Sequence, residues 1–206
     1  MHIWELLIDI IFPPSPNELL VRSATLENIT KEYCPSTKAR VYYFSNYRRQ
    51  LITALITTTK FSNNKKAIRL LAHLLTRWLE EHTKDNTLLI PIPLYSKRER
   101  ERGYNQVTRV LEELELAHIK IESNLLKRNR NTVPQTTLER DDRTKNLKNA
   151  FVVNQKILNK VLTPDIKNVI ICDDVYTTGS TLKEAKRVLT PHIPRHCELI
   201  CLAWAH

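Results

Sequence analysis

Glycine is almost missing from this chain, with two residues in 206. Average usage near 7% would give roughly fourteen. A sequence so poor in glycine keeps it where the backbone demands it, so Gly103 and Gly179 mark tight turns. Cysteine is scarce and scattered as well. Cys34, Cys172, Cys197 and Cys201 include no C-x-x-C pair, and only Cys34 precedes position 172. A structural zinc site needs about four clustered soft ligands, and a secreted disulfide framework usually shows regular spacing. Neither pattern is present, so no zinc is expected. Cys172 lies in an apolar run and Cys197 and Cys201 lie near one, which reads as reduced core thiols.

A long apolar run is lacking too. Residues 1–12 are apolar, but Glu5 and Asp9 interrupt them and no lysine or arginine precedes them, unlike a signal peptide. The stretch is too short to span a bilayer. Glu5 and Asp9 lie four apart, so a helix here carries one acidic stripe and a broad apolar face, suited to docking on the protein's own body. Together with the reduced cysteines, this predicts a cytoplasmic protein with no integral membrane association.

Positive charge is not in short supply. The formal net charge is +10, and 42% hydrophobic with 26% charged residues is ordinary globular composition. The excess favours phosphate-bearing partners: nucleic acid, a polyphosphorylated metabolite or an anionic membrane face. A solvated basic surface is the alternative.

Patterning along the chain alternates apolar strands with amphipathic helices. Pro13-Pro14-Ser15-Pro16 stops the first helix. Strands are expected at residues 41–44, 88–92, 151–153, 169–172 and 199–203. Helices are expected at 46–60, 65–81, 107–116 and 182–189. In 65–81, Ile68, Leu71, Ala72, Leu75 and Leu79 fall at helical spacing. Such alternation implies a parallel α/β sheet.

One segment concentrates the chemistry. The apolar run Val169-Ile170-Ile171-Cys172 ends in Asp173-Asp174, followed by Val175-Tyr176 and the hydroxyl loop Thr177-Thr178-Gly179-Ser180-Thr181. In open α/β sheets ligands sit beyond the carboxyl ends of strands. A loop opening a helix there presents N–H groups and a positive dipole end, which suit phosphate. Two adjacent carboxylates suit vicinal ribose hydroxyls, or a hydrated Mg²⁺ that carries pyrophosphate. An N-capped helix with no ligand is the plain alternative.

This segment resembles the signature of type I phosphoribosyltransferases, an acidic pair before Thr-Gly-x-Thr. The resemblance implies that Asp173 and Asp174 hold ribose and that Thr177, Thr178, Gly179, Ser180 and Thr181 bind the 5-phosphate of 5-phosphoribosyl-1-pyrophosphate (PRPP) with Mg²⁺. Thr177 stands where the purine-salvage branch has an acidic residue that serves the base.

Two further runs narrow the likeness. Pro91-Ile92-Pro93-Leu94 leads into Lys97, Arg98, Arg100 and Arg102, then Gly103-Tyr104-Asn105-Gln106. Later come Leu126-Lys127-Arg128-Asn129-Arg130 through Gln135, then Arg140, Arg143 and Asn146. The ordered set resembles the ComF family of competence-associated, phosphoribosyltransferase-like proteins from about residue 42 onward. Many relatives carry a four-cysteine zinc ribbon after an N-terminal helix; here Leu6, Leu7, Phe12, Pro13 and Pro14 echo the helix, but the cysteine pairs are absent.

The resemblance implies a mostly parallel open sheet with helices on both faces (residues 42–206), behind a small N-terminal helical or hood segment (residues 1–41). It assigns Ser96, Lys97, Arg100, Arg102, Gln135, Arg140 and Arg143 to the pyrophosphate and its lid. For any one of the basic residues, a solvated helix start or loop remains the alternative. Arg98, Tyr104, Arg128, Arg130, Lys145 and Lys148 become candidates for single-stranded DNA, with competence or recombination proteins as possible partners. Two roles follow: a competence factor that binds PRPP and handles DNA, or an active phosphoribosyltransferase with an unidentified acceptor.

Overall fold

The computed structural model describes residues 13–129 and 149–206. In chain order the described elements are α1 (Pro16–Ser23), α2 (Leu26–Lys31), β1 (Ser36–Lys38), β2 (Val41–Ser45), α3 (Gln50–Ser62), α4 (Lys65–His82), β3 (Thr87–Pro91), α5 (Ser96–Arg102), α6 (Gln106–Leu111) and β4 (Ile119–Ile121). They continue with β5 (Leu126–Arg128), β6 (Phe151–Val153), α7 (Gln155–Val161), β7 (Asn168–Val175), α8 (Ser180–Leu189) and β8 (Glu198–Ala205).

The main sheet runs β1-β2-β8-β7-β3-β4. All its neighbours pair parallel except β1 with β2. Alternation along β7 explains the two cores. Ile170 and Cys172 join Leu55, Leu71 and Trp78 on one face, while Val169 and Ile171 join Phe151, Leu158 and Leu182 on the other. Enclosing such a side chain contributes about 1.5–3 kcal/mol, so this central strand, apolar toward both cores, is a rigid mount for whatever follows it.

Local chemistry sets the boundaries. Ser15 and Glu18 form a capping box with Pro16 in the first turn, so the proline run starts a helix; the helix expected before it lies outside the described residues. Asn64 caps α4 by accepting from the Ala67 N–H at 3.0 Å. Expected helix 46–60 begins only at Gln50, because the Asn46 side chain accepts from the Arg48 N–H at 2.9 Å and holds a turn instead. Expected helix 107–116 ends at Leu111; Leu114 and Leu116 still pack against the first core, but from the irregular stretch that follows. The 151–153 strand exists, yet it pairs antiparallel with β5 in a separate two-stranded sheet. Helices α1 and α2 contribute Val21, Ala24 and Ile29 to the first core, and β1 extends the main sheet. Among the described residues, no helix is long and apolar enough to cross a membrane.

Candidate ligand site

Strand order reverses between β3 and β7: after β3 the chain moves outward to β4, and after β7 it moves the other way to β8. A crevice outside the carboxyl ends of these two strands is where open α/β sheets bind ligands. Asp173 and Asp174 lie just before the last residue of β7 there, and the Ile92 N–H donates to the Cys172 carbonyl at 2.8 Å alongside.

Period-two geometry sends the adjacent carboxylates toward opposite faces. Asp174 shares the face of Ile170 and Cys172. Its Oδ2 accepts from the Gln106 amide at 2.7 Å and lies 3.8 Å from Lys60 Nζ, while Oδ1 accepts from the Val175 N–H at 2.7 Å. Asp173 shares the face of Val169 and Ile171, and its Oδ1 accepts from the Asp174 N–H at 3.0 Å. Burial first, and then the neighbouring Asp174, push Asp173 well above the ordinary carboxylate range, with Lys60 and Arg128 acting against that rise. A pair whose second charge is so disfavoured lacks counter-charge. Its hard oxygens fit hydroxyl donors or a hydrated divalent cation, so Mg²⁺ is a suitable partner for Asp173 and Asp174.

The hydroxyl loop follows directly. Gly179 holds φ 73°, the left-handed region that glycine enters without strain, and caps α8. Thr178 Oγ1 and Ser180 Oγ are 2.9 Å apart, and the Ser180 N–H points to Thr178 Oγ1 at 3.4 Å. Thr177 is exposed, and Thr178 and Thr181 are half-buried. Helix α8 thus opens with short donors around its positive end, facing the crevice side of β7.

Cations lie near the acidic pair. Arg128 is half-buried beside the Phe151 ring at 5.7 Å; burial first, then Arg98, lower its affinity for its proton, and Asp173 acts in the opposite sense. Arg102 donates to the Gln106 amide oxygen; burial lowers its affinity for its proton, Tyr104 acts against that, Arg98 lowers it further and Asp174 acts in the opposite sense. Arg98 therefore stands within electrostatic reach of both guanidiniums. Of the residues read from sequence, the structure brings Asp173, Asp174, the loop, Arg98, Arg102 and Arg128 together. Arg98 and Arg128, expected from sequence as nucleic-acid candidates, lie near the acidic pair. Ser96, Lys97 and Arg100 are exposed on α5, and Lys97 pairs with Glu101 at 3.9 Å, the local alternative. The Tyr104 hydroxyl accepts from the Asn63 N–H at 3.0 Å, tying the end of α3 to the turn before α6. Gln135, Arg140, Arg143, Arg130, Lys145 and Lys148 fall outside the described residues.

Sequence reasoning missed Lys60, Phe61 and the role of Gln106. Gln106 closes the Gly-Tyr-Asn-Gln run, and its signal was its place right after Asn105, whose side chain holds the Ile92 carbonyl at 2.9 Å and caps α6. Lys60 carried no local signal, because only the fold brings the end of α3 to β7.

Residues 101–206 match the phosphoribosyl transferase domain, and the chain belongs to that family. Its relatives place it on the ComF-like branch. The chain is 36% identical to Competence protein F of Haemophilus influenzae over 144 residues, 67% of this chain and 61% of that one. It is 29% identical to the DNA utilization protein YhgH of Escherichia coli K12, covering 73% of this chain and 66% of that one. Competence protein ComFC of Bacillus subtilis is 35% identical over 50% of this chain and 38% of its own length. The chain thus spans less than two thirds of the length of these curated relatives.

Proposed function

We propose that this protein binds PRPP with Mg²⁺ at the β3–β7 crevice and serves DNA uptake in natural transformation, where it handles incoming single strands in the cytoplasm. The observation that carries the reading is the placement of Asp173-Asp174 at the strand-order reversal, immediately before a left-handed glycine loop that opens α8. Ribose hydroxyls meet the carboxylates, the 5-phosphate meets the N–H groups and hydroxyls of residues 177–181, and Mg²⁺ neutralises the diphosphate beside the pair. Arg98, Arg102 and Arg128 supply the remaining positive charge, with the bidentate fork that suits phosphate oxygens. The part in DNA handling is supported by the names of the competence and DNA utilization relatives and by the +10 charge.

Calorimetry with PRPP and Mg²⁺ tests the pocket. Asp173→Asn combined with Asp174→Asn is expected to abolish binding in a protein whose circular dichroism is unchanged. Equal affinity in that folded double variant would refute the site. Mg²⁺-dependent release of pyrophosphate, screened against nucleobases and nucleic acid, separates a transferase from a binding module.

A further inference from the structure

Among the described residues, Phe61 is the most exposed large apolar side chain, at 71%. It sits in the last turn of α3, whose core contacts come from Ile52, Leu55, Ile56 and Thr59 rather than from this ring. Two cations attend it. Lys60 Nζ stands 5.9 Å from the ring centre and the Arg102 guanidinium 5.6 Å. Both belong to the acidic pair as well. Lys60 lies 3.8 Å from Asp174 Oδ2, and Arg102 donates to Gln106, whose amide donates to the same oxygen. Two separate paths therefore tie the exposed ring to Asp174.

We infer that Phe61 and the Arg102 guanidinium form a stacking platform for a nucleobase beside the phosphoribosyl site. Any base has a π-face, so an aromatic ring accepts it without regard to sequence. The guanidinium is itself planar and stacks on aromatic faces. Lys60 and Arg102, at the rim, offset the phosphate charge that comes with a nucleotide. The location also fits, because a base is one glycosidic bond from its ribose and Lys60 spans from the ring to the carboxylate proposed to hold ribose. That last step rests on the PRPP reading. The base has two possible sources: a free base brought to the sugar, or an unpaired base of a strand lying across the basic mouth.

Quenching of 2-aminopurine fluorescence tests this, with the probe used as free base and within a short single-stranded oligonucleotide. Wild-type protein is expected to quench at least one of them. Phe61→Ala and Phe61→Leu should weaken that binding by about fivefold to a hundredfold, Phe61→Trp should preserve it, and PRPP affinity by calorimetry should stay within about twofold. Free-base quenching that requires PRPP and Mg²⁺ identifies an acceptor; oligonucleotide quenching without PRPP identifies the strand. Quenching of neither probe, or unchanged binding in Phe61→Ala or Phe61→Leu, overturns the platform. Phe61-dependent quenching in a protein that binds no PRPP keeps the platform and sinks the phosphoribosyl reading alone.

Discussion

A Cβ on residue 179 would stand 2.3 Å from Cε2 of Tyr176. The tyrosine has little freedom to yield. It is buried, its N–H donates to the Ala205 carbonyl at 2.8 Å, and its ring packs edge-on against His206 at 5.2 Å. Gly179 is therefore fixed twice, by a left-handed φ and by this close approach.

Gly103 supplies the control. Its φ is also positive, at 81°, but a Cβ there meets nothing within 4 Å. Gly103→Ala should lose only the backbone term, about 1–2 kcal/mol. Gly179→Ala should lose more and weaken PRPP binding by about tenfold or more, because the loop must shift to admit the methyl group. Thermal unfolding of the two variants, with calorimetry on each, checks the order. Equal destabilisation would remove the Tyr176 contact as a cause.

Gln106 yields a second prediction. Gln106→Leu deprives buried Asp174 of a donor, a loss of about 1–3 kcal/mol, and frees Arg102 from its amide partner. Gln106→Glu keeps the shape and sets a carboxylate against a carboxylate. The glutamate variant should bind PRPP–Mg²⁺ more weakly than the leucine variant, and its melting temperature should fall further. The opposite ranking would mean that the amide contributes packing rather than a hydrogen bond.

How far the chain announced all this depends on whether the signal was local. The end of β7 and the start of α8 were legible because an apolar run, two carboxylates, hydroxyls and a rare glycine are contiguous. Both glycines do adopt positive φ, 81° and 73°, as their scarcity suggested. The sheet's central strands were legible from apolar runs. By contrast, Lys60 reaches Asp174 across 114 positions of chain, and no sequence period encodes that meeting. Helices α1, α2 and α7 are short, and too few apolar positions repeat in them to fix a period. Strand β5 was not among the expected strands, since Lys127 and Arg128 masked the pairing of Leu126 with Val153.

The Asp173 carboxyl makes stability and ligand binding depend on pH. Its ordinary value is 3.8, and burial with Asp174 beside it pushes the folded value up to about 8. Below the ordinary value both states hold the proton and nothing changes. Between the two values the unfolded chain has lost the proton and the folded one keeps it, so stability falls as pH rises, then levels off above the folded value. Asp173→Asn should flatten that slope. A ligand that needs the ionised pair should also expel a proton, so the calorimetric enthalpy of PRPP–Mg²⁺ binding near neutral pH should vary with the ionisation enthalpy of the buffer. No buffer dependence would mean that Asp173 is already ionised before the ligand arrives.

Single-stranded DNA and PRPP should compete. Arg98 lies within electrostatic reach of Arg102 and Arg128, both of which also respond to the acidic pair. A strand crossing the mouth of the crevice meets the same cations that a diphosphate would use. Phosphate contacts should carry the salt dependence of its affinity, and stacking on Phe61 should add to that affinity without regard to sequence. Counterion release then requires affinity to fall with salt, by a log–log slope of about −0.7 per phosphate neutralised. Arg140 and Arg143, in the basic segment beyond β5, should add to this slope, so Arg140→Glu with Arg143→Glu should make it shallower and weaken binding at low salt. Saturating PRPP with Mg²⁺ should weaken a fluorescent oligonucleotide by occupying Arg98 and Arg102. Anisotropy titrations with and without PRPP, across a salt series, read all three effects. An oligonucleotide indifferent to PRPP but sensitive to the double charge reversal places the strand on a separate surface; one that fails to bind at low salt removes DNA from this protein's partners.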